Sequence, residues 1–184
     1  MGNLKRDRGY RHETSLVRTF NNIEDLKGMK WWEARRLGGS SEGLPDVIAV
    51  NNKDRILVTI EAKSRQGDYA EIENHQITRC FVVCNFLRAY RQRYVIFAFK
   101  FMNKTRDKKT GMYVKRELKE YFQVIDVVKL KKEDSYNNIK KVLCKYSTGP
   151  KLLLFTEKEK VQSKIFENFK QMIKFVNTSI KLKE

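Results

Sequence analysis

An α/β fold, with a mixed central β-sheet flanked by α-helices and a helical C-terminal extension, is expected from three features of this 184-residue chain. Apolar residues recur at helical spacing in separate segments. Short apolar runs bounded by polar turns lie between and after them. One helix-length segment separates two strand-like runs, which permits a parallel crossover. The length suits one domain, or one domain with an appendage, and can bury a real core.

Taken in order, Leu16, Val17, Phe20, Ile23 and Leu26 give an amphipathic helix over residues 12 to 26, with Gly28 placed to end it. In MKWWEARRL, Trp31, Glu33, Arg35 and Leu37 alternate with Trp32, Ala34 and Arg36, as in a strand with unlike faces. The flexible turn GGSSEG follows. Residues 46 to 50 and 56 to 62 are two strands whose short polar connection, VNNKDR, makes them an antiparallel hairpin.

Next, Ile77, Cys80, Phe81, Cys84 and Leu87 trace a helical stripe through QITRCFVVCNFLRAY, and YVIFAFKFM reads as a strongly apolar strand over 94 to 102. NKTRDKKTGMYVKRE is an exposed turn leading into a further strand, EYFQVIDVV. The tail reads as mostly helical. Val161, Ile165, Phe169, Met172 or Ile173, and Val176 form one apolar face from about 157 to 176. The chain thus divides into a core over 1–128 and a basic, mostly helical extension over 129–184, packed on that core.

Composition narrows the function. No window approaches the roughly 18 consecutive apolar residues of a membrane span, and the N-terminus has no apolar stretch to act as a secretion signal. A cytoplasmic protein with no membrane partner is expected. Three cysteines cannot form a disulfide framework, and Cys80 and Cys84 read as small core residues. His12 and His75 lack metal-ligand spacing to them, which argues against zinc. The chain carries 39 Lys+Arg against 22 Asp+Glu, a net charge of +17, which points to a polyanionic partner, most simply a nucleic acid. Residues 129–184 hold 14 of those basic residues and 6 of the acidic ones, so the tail is the more densely basic part.

The stretch PDVIAVNNKDRILVTIEAK carries the chemistry. Alternation on a strand puts Glu61 and Lys63 on one face, and Asp46, opening the partner strand, lies near the same end. Two carboxylates and an ammonium therefore converge at one sheet edge. Carboxylate oxygens are what magnesium prefers, and a fixed lysine can hold an attacking water or stabilise a phosphorane-like transition state. Charges at strand ends are commonly ion pairs or solvated edges, and Pro-Asp is an ordinary turn element. The ordered combination within a basic chain is what favours phosphodiester hydrolysis.

Pro-Asp followed by Glu-Ala-Lys resembles the motif of the PD-(D/E)xK nucleases. More narrowly, RGYRHETSLV, ARRLGGSSEGLPDVIAV, ILVTIEAKS, the tyrosine of DYAEI, QITRCFVVCNFLRAY and IFAFKF make residues 9 to 128 similar to the archaeal-type Holliday junction resolvases. The resemblance implies a restriction-endonuclease-like core and a magnesium site in which manganese can substitute. Asp46 and Glu61 would be metal ligands and Lys63 the catalytic lysine, with Glu13 completing the metal site directly or through water. Ser40, or its neighbour Ser41, matches a mobile serine loop, Ser40 being assigned to catalysis and Ser41 to DNA contact. Arg36 matches an arginine on the phosphate backbone, and Arg11 and Arg65 are further candidate DNA contacts. Gln76 and Tyr69 are weaker matches, with core or surface roles open to them.

Read alone, Glu13 is an acid favoured by the helix dipole, and Ser40, Ser41 and Arg36 are a flexible turn and a surface charge. The chain also departs from the family. Thr14 stands where an arginine often follows the helix glutamate, so that contact falls to Arg11 or Arg18 or is missing. The serine loop is longer, and the last third has no counterpart.

The leading expectation is a dimeric, magnesium-dependent endonuclease that nicks opposed strands of a four-way DNA junction. Its setting would be nucleoid-associated, in an archaeon or an archaeal virus. A repair, flap or restriction-type nuclease on the same fold is the alternative, and a non-catalytic nucleic-acid-binding protein is the rival from another class. The basic tail could grip DNA arms, extend the dimer or recruit a partner, or simply pack.

Overall fold

A computed structural model describes residues 4–37, 43–107, 109–130, 135–156 and 161–178. The chain runs α1 (Leu4–Asn21), β1 (Trp32–Arg36), β2 (Val47–Asn51), β3 (Ile56–Arg65), β4 (Tyr69–Glu73), α2 (Asn74–Phe86) and β5 (Gln92–Phe101). It continues through β6 (Lys104–Arg106), β7 (Tyr113–Lys115), β8 (Lys119–Asp126), β9 (Ile139–Lys145), β10 (Gly149–Leu154), β11 (Lys164–Phe166) and α3 (Phe169–Thr178), with short 3-10 turns at Val127–Lys129 and Ser135–Asn138.

A six-stranded sheet of order β1-β2-β3-β5-β8-β11 is the middle layer. Only β3 and β5 are parallel, joined by the expected crossover through α2, and the remaining neighbours are antiparallel. The sheet is therefore mixed and flanked by helices, as the sequence implied.

Two apolar clusters lie on its two faces. On one, α1 and α3 bring Leu16, Phe20, Met172 and Val176 onto Val47, Val58, Ile60, Ile96 and Phe122. On the other, α2 and a second sheet, β10-β9-β4, bring Ile77, Phe81, Ile72 and Val142 onto Leu57, Val95, Phe97 and Phe99. Side chains alternate across β3. Ile56, Val58, Ile60 and Ala62 face α1 and α3, while Thr59 donates to the carbonyl of Cys80 on α2 at 3.2 Å. Glu61 and Lys63 share the face of Thr59, under α2.

Local chemistry explains the elements that differ from expectation. The first helix stops at Asn21, five residues early, because its side chain bonds β1: Nδ2 donates to the Ala34 carbonyl at 3.2 Å and Oδ1 accepts the Ala34 N–H at 2.6 Å. Leu26 is consequently exposed, and Gly28, at φ +73°, sits in a turn closed by its N–H on the Asp25 carbonyl at 3.0 Å. The hairpin of β2 and β3 forms as expected. Asn51 caps its turn through bonds of 3.0 and 2.9 Å to the N–H and carboxylate of Asp54.

The larger correction concerns the tail. Its described residues hold three strands, β9, β10 and β11, and its described helix is only the ten residues of α3. β9 and β10 form a hairpin that pairs through β9 with β4, a strand of only five residues. β11 joins the central sheet beside β8 and carries Ile165, which the helical reading had placed on a buried face and which is exposed. The hairpin turn needs Gly149, at φ +75°, where an added Cβ would sit 3.2 Å from the Tyr121 ring. Residues beyond 128 thus contribute to both sheets. No helix among the described residues is long and apolar enough to cross a membrane.

Candidate active site

β2 and β3 bring the three expected strand-end residues together. Asp46 immediately precedes β2, and the pairing of Val47 with Ile60 sets it beside the end of β3. Its Oδ2 accepts the backbone N–H of Ala62 at 2.9 Å. Glu61 has no exposed surface, and a buried carboxylate needs partners. It has three. Lys63 Nζ donates to Oε1 at 2.7 Å, Gln76 Nε2 donates to the same oxygen at 2.8 Å, and Arg79 donates to Oε2 through both Nε, at 3.2 Å, and Nη2. Arg79 Nη2 also reaches Asp46 Oδ1 at 3.2 Å, so one nitrogen bridges both carboxylates.

Burial raises the pKa of Glu61, the nearby charge of Asp46 raises it further, and Lys63 and Arg79 pull against both. For Arg79, burial alone would lower the pKa, but the hydrogen bond and charge of Glu61, with Asp46 behind them, outweigh it and raise it. The four side chains form a neutral set of two anions and two cations.

Gln76 links this set to the helix. Its Oε1 accepts the Glu73 N–H at 3.2 Å at the start of α2 while its amide serves Glu61. Arg79, one turn later, is the participant that sequence reasoning missed. Its signal was a charge three residues after Gln76, on the flank of the apolar stripe of Ile77, Cys80, Phe81 and Cys84. Cys80 and Cys84 are buried free thiols, as expected of core residues, Cys144 is a third, and burial pushes Cys84 up to about 11 and Cys144 up to about 12.

The remaining described candidates have other partners or are exposed. Glu13 is on α1, whose core residues pack on the opposite face of the sheet, and its carboxylate is held by Arg36 at 3.0 Å. Arg36 also lies over the Tyr10 ring, 4.4 Å from its centre. Among the described residues no three His, Cys, Asp or Glu side chains gather as a metal cluster, and Arg36, which holds Glu13, pairs with Val47, the residue after Asp46. Ser40 and Ser41 fall outside the described residues. Arg11 and Arg18 are exposed on α1, Arg65 is exposed at the end of β3, and Tyr69 is exposed at the start of β4.

Asp46 and Glu61 suit a divalent ion. Their oxygens already meet on one cationic nitrogen, and magnesium commonly takes one or two protein carboxylates, with water and phosphate oxygens filling its octahedron. Beyond the end of β3, the β6 and β7 hairpin presents Lys104, Arg106 and Lys115. Arg116 fixes it there by donating to the Gln66 carbonyl and to Asp68 Oδ1, both at 2.8 Å, and to the Met102 carbonyl at 2.9 Å.

Comparison with known proteins gives a family. A model of the archaeal Holliday junction resolvases matches residues 4–135. No curated protein matches the chain. Among solved structures, the chain is similar to the Holliday junction resolvase of the archaeal hyperthermophile Archaeoglobus fulgidus. The identity is 18% over 76% of this chain and 89% of that one, with a TM-score of 0.38. With the family model covering most of its length, the chain belongs to the archaeal Holliday junction resolvase family.

Proposed function

We propose that this chain is a magnesium-dependent endodeoxyribonuclease that resolves four-way DNA junctions, nicking opposed strands in pairs as a homodimer. The meeting of Asp46, Glu61 and Lys63 at adjacent strand ends, in a chain of this family, carries the reading. Asp46 and Glu61 would hold the ion. When bound, it lowers the pKa of a coordinated water and offsets charge on a phosphoryl oxygen. Manganese, which also accepts oxygen ligands, substitutes.

Lys63 stands at the rim of the site, where its ammonium can hold the attacking water or stabilise charge on the phosphorus oxygens. Gln76 and Arg79 keep Glu61 oriented. Glu13 would join, directly or through water, from its pair with Arg36.

The net charge of +17 supports grip on phosphates, with Arg11, Arg36 and Arg65 and the β6 and β7 hairpin as contacts on the described surface. Ser40 would serve catalysis and Ser41 DNA contact. Phosphate contacts carry no base information, so shape governs recognition and binding falls steeply with salt.

A four-arm substrate with two-fold symmetry calls for a two-fold protein. Val82 and Phe86, one turn apart on the outside of α2 and 51% and 85% exposed, supply an apolar patch for such an interface. The enzyme would work at the nucleoid, in the cytoplasm of an archaeon or of a cell infected by its virus.

Labelled four-way junction and matched duplex, incubated with and without magnesium, test the reading. Paired nicks in the junction alone, and only with the ion, are expected. Equal cutting of linear duplex or of a flap would overturn junction selectivity. No cleavage of any DNA or RNA would instead favour a non-catalytic binding protein.

A further inference from the structure

Arg79 is a buried arginine placed where the ion must act. One carboxylate would satisfy a guanidinium as a structural ion pair, and Glu61 does so with two bonds. Yet Nη2 also bonds Asp46 Oδ1, so that nitrogen sits between the two oxygens that a divalent ion would have to share. The guanidinium stays protonated in proteins, and it cannot occupy that position together with a divalent cation. Adding the ion beside both Arg79 and Lys63 would also turn a neutral set strongly positive, which a partly buried site tolerates poorly.

We propose that Arg79 is an internal counter-cation that the metal ion must displace; the inference rests on the metal-dependent reading above. In the ion-free protein Arg79 neutralises Asp46 and Glu61 and holds them in register. When the ion binds, the guanidinium releases Asp46 while its Nε bond retains Glu61, and Nη2 is freed to meet a phosphate oxygen. Ion binding is then an exchange of cations, weak in the free protein and strengthened by DNA, whose phosphate replaces the carboxylate that Arg79 gives up. Arg79 is a positioning residue, and its effect is on metal affinity before it is on rate.

The test uses the full chain without DNA. Calorimetric titration with manganese compares wild type with Arg79→Gln, which keeps an amide donor and removes the charge. At least about tenfold tighter binding is expected of the variant, since a unit charge a few ångströms away is gone. In thermal unfolding with EDTA, the variant should melt below wild type and recover more than wild type does when manganese is added. Equal or weaker binding by the variant, with wild type binding measurably, overturns the displacement proposal and leaves the metal reading standing. Binding by neither protein overturns both.

Should Arg79→Gln not fold in either buffer, the side-chain Nε–H resonance of Arg79 in wild type decides the matter. It should move as magnesium is titrated in, and a resonance that stays fixed while calorimetry records binding overturns the proposal.

Discussion

Asp46 Oδ2 accepts the N–H of Ala62, the residue between Glu61 and Lys63, at 2.9 Å. A side chain proposed for catalysis therefore also pins the two strands that build the site. The consequence differs between substitutions. Asp46→Asn keeps an acceptor for Ala62 and should fold nearly as wild type. Glu61→Gln leaves the buried Arg79 with reduced charge compensation, an effect on the order of 3–5 kcal/mol when a buried ion pair is broken outright. Each of these, and Lys63→Ala, should lower single-turnover junction cleavage by about 10²–10³-fold or more, with junction binding little changed. A variant that cleaves at the wild-type rate removes its residue from the mechanism.

Phe86→Glu places a charge in the proposed dimer patch on α2. Light scattering after size exclusion should show a dimer for wild type and a monomer for the variant, and junction products should change from paired to single nicks. An unchanged mass would exclude this face of α2 as the interface.

Truncation after residue 130 should abolish folding rather than merely weaken DNA binding. Ile72 pairs with Val142 across β4 and β9, and Phe81 stacks on Tyr136 with ring centres 4.6 Å apart. Removing those partners, with Ile139 and Cys144, uncovers buried apolar surface on β4 and α2. The expected outcome is loss of a cooperative thermal transition, and a soluble, two-state fragment would contradict it. Reversing the exposed Lys140, Lys145 and Lys151 tests DNA grip by the tail without that loss.

Acid should destabilise the protein through His12. This residue is 3% exposed and neither ring nitrogen has a hydrogen-bond partner among the described residues. Burial, with the charge of Lys100, lowers its pKa to about 3 from 6.5. The unfolded chain therefore takes up the proton first. Stability is full above about pH 6.5 and declines as the pH falls towards 3, by at most about 1.4 kcal/mol per pH unit from this group. Urea unfolding at pH 7 and pH 5 should show a smaller loss for His12→Leu than for wild type, and equal losses would acquit His12.

What could be read from the sequence was what local chemistry controls. The β2 and β3 hairpin has a polar turn that caps itself, and α2 has an apolar stripe of helical period, so both were visible. Asp46, Glu61 and Lys63 followed from strand alternation. Arg79 was hidden because its role depends on how α2 lies over β3, a tertiary fact. β4 was hidden because it is short and its partner begins at residue 139. In the tail the helical period holds along α3, where Met172 and Val176 are buried, and fails at Ile165, because pairing with β8 decides that segment. Glu13 matches by motif, and its carboxylate is paired with Arg36.

The pairing of β4 with β9 also bears on biosynthesis. A ribosome that has released the chain through β8 has already made Asp46, Glu61, Lys63 and Arg79, yet the strand leading into α2 has no neighbour until β9 emerges. Domains fold as units, and the strand that leads into the helix carrying Gln76 and Arg79 completes its pairing only when the last quarter of the polypeptide arrives. A nascent or prematurely terminated product would accordingly hold Asp46, Glu61, Lys63 and Arg79 and still lack the second sheet that backs the helix over them.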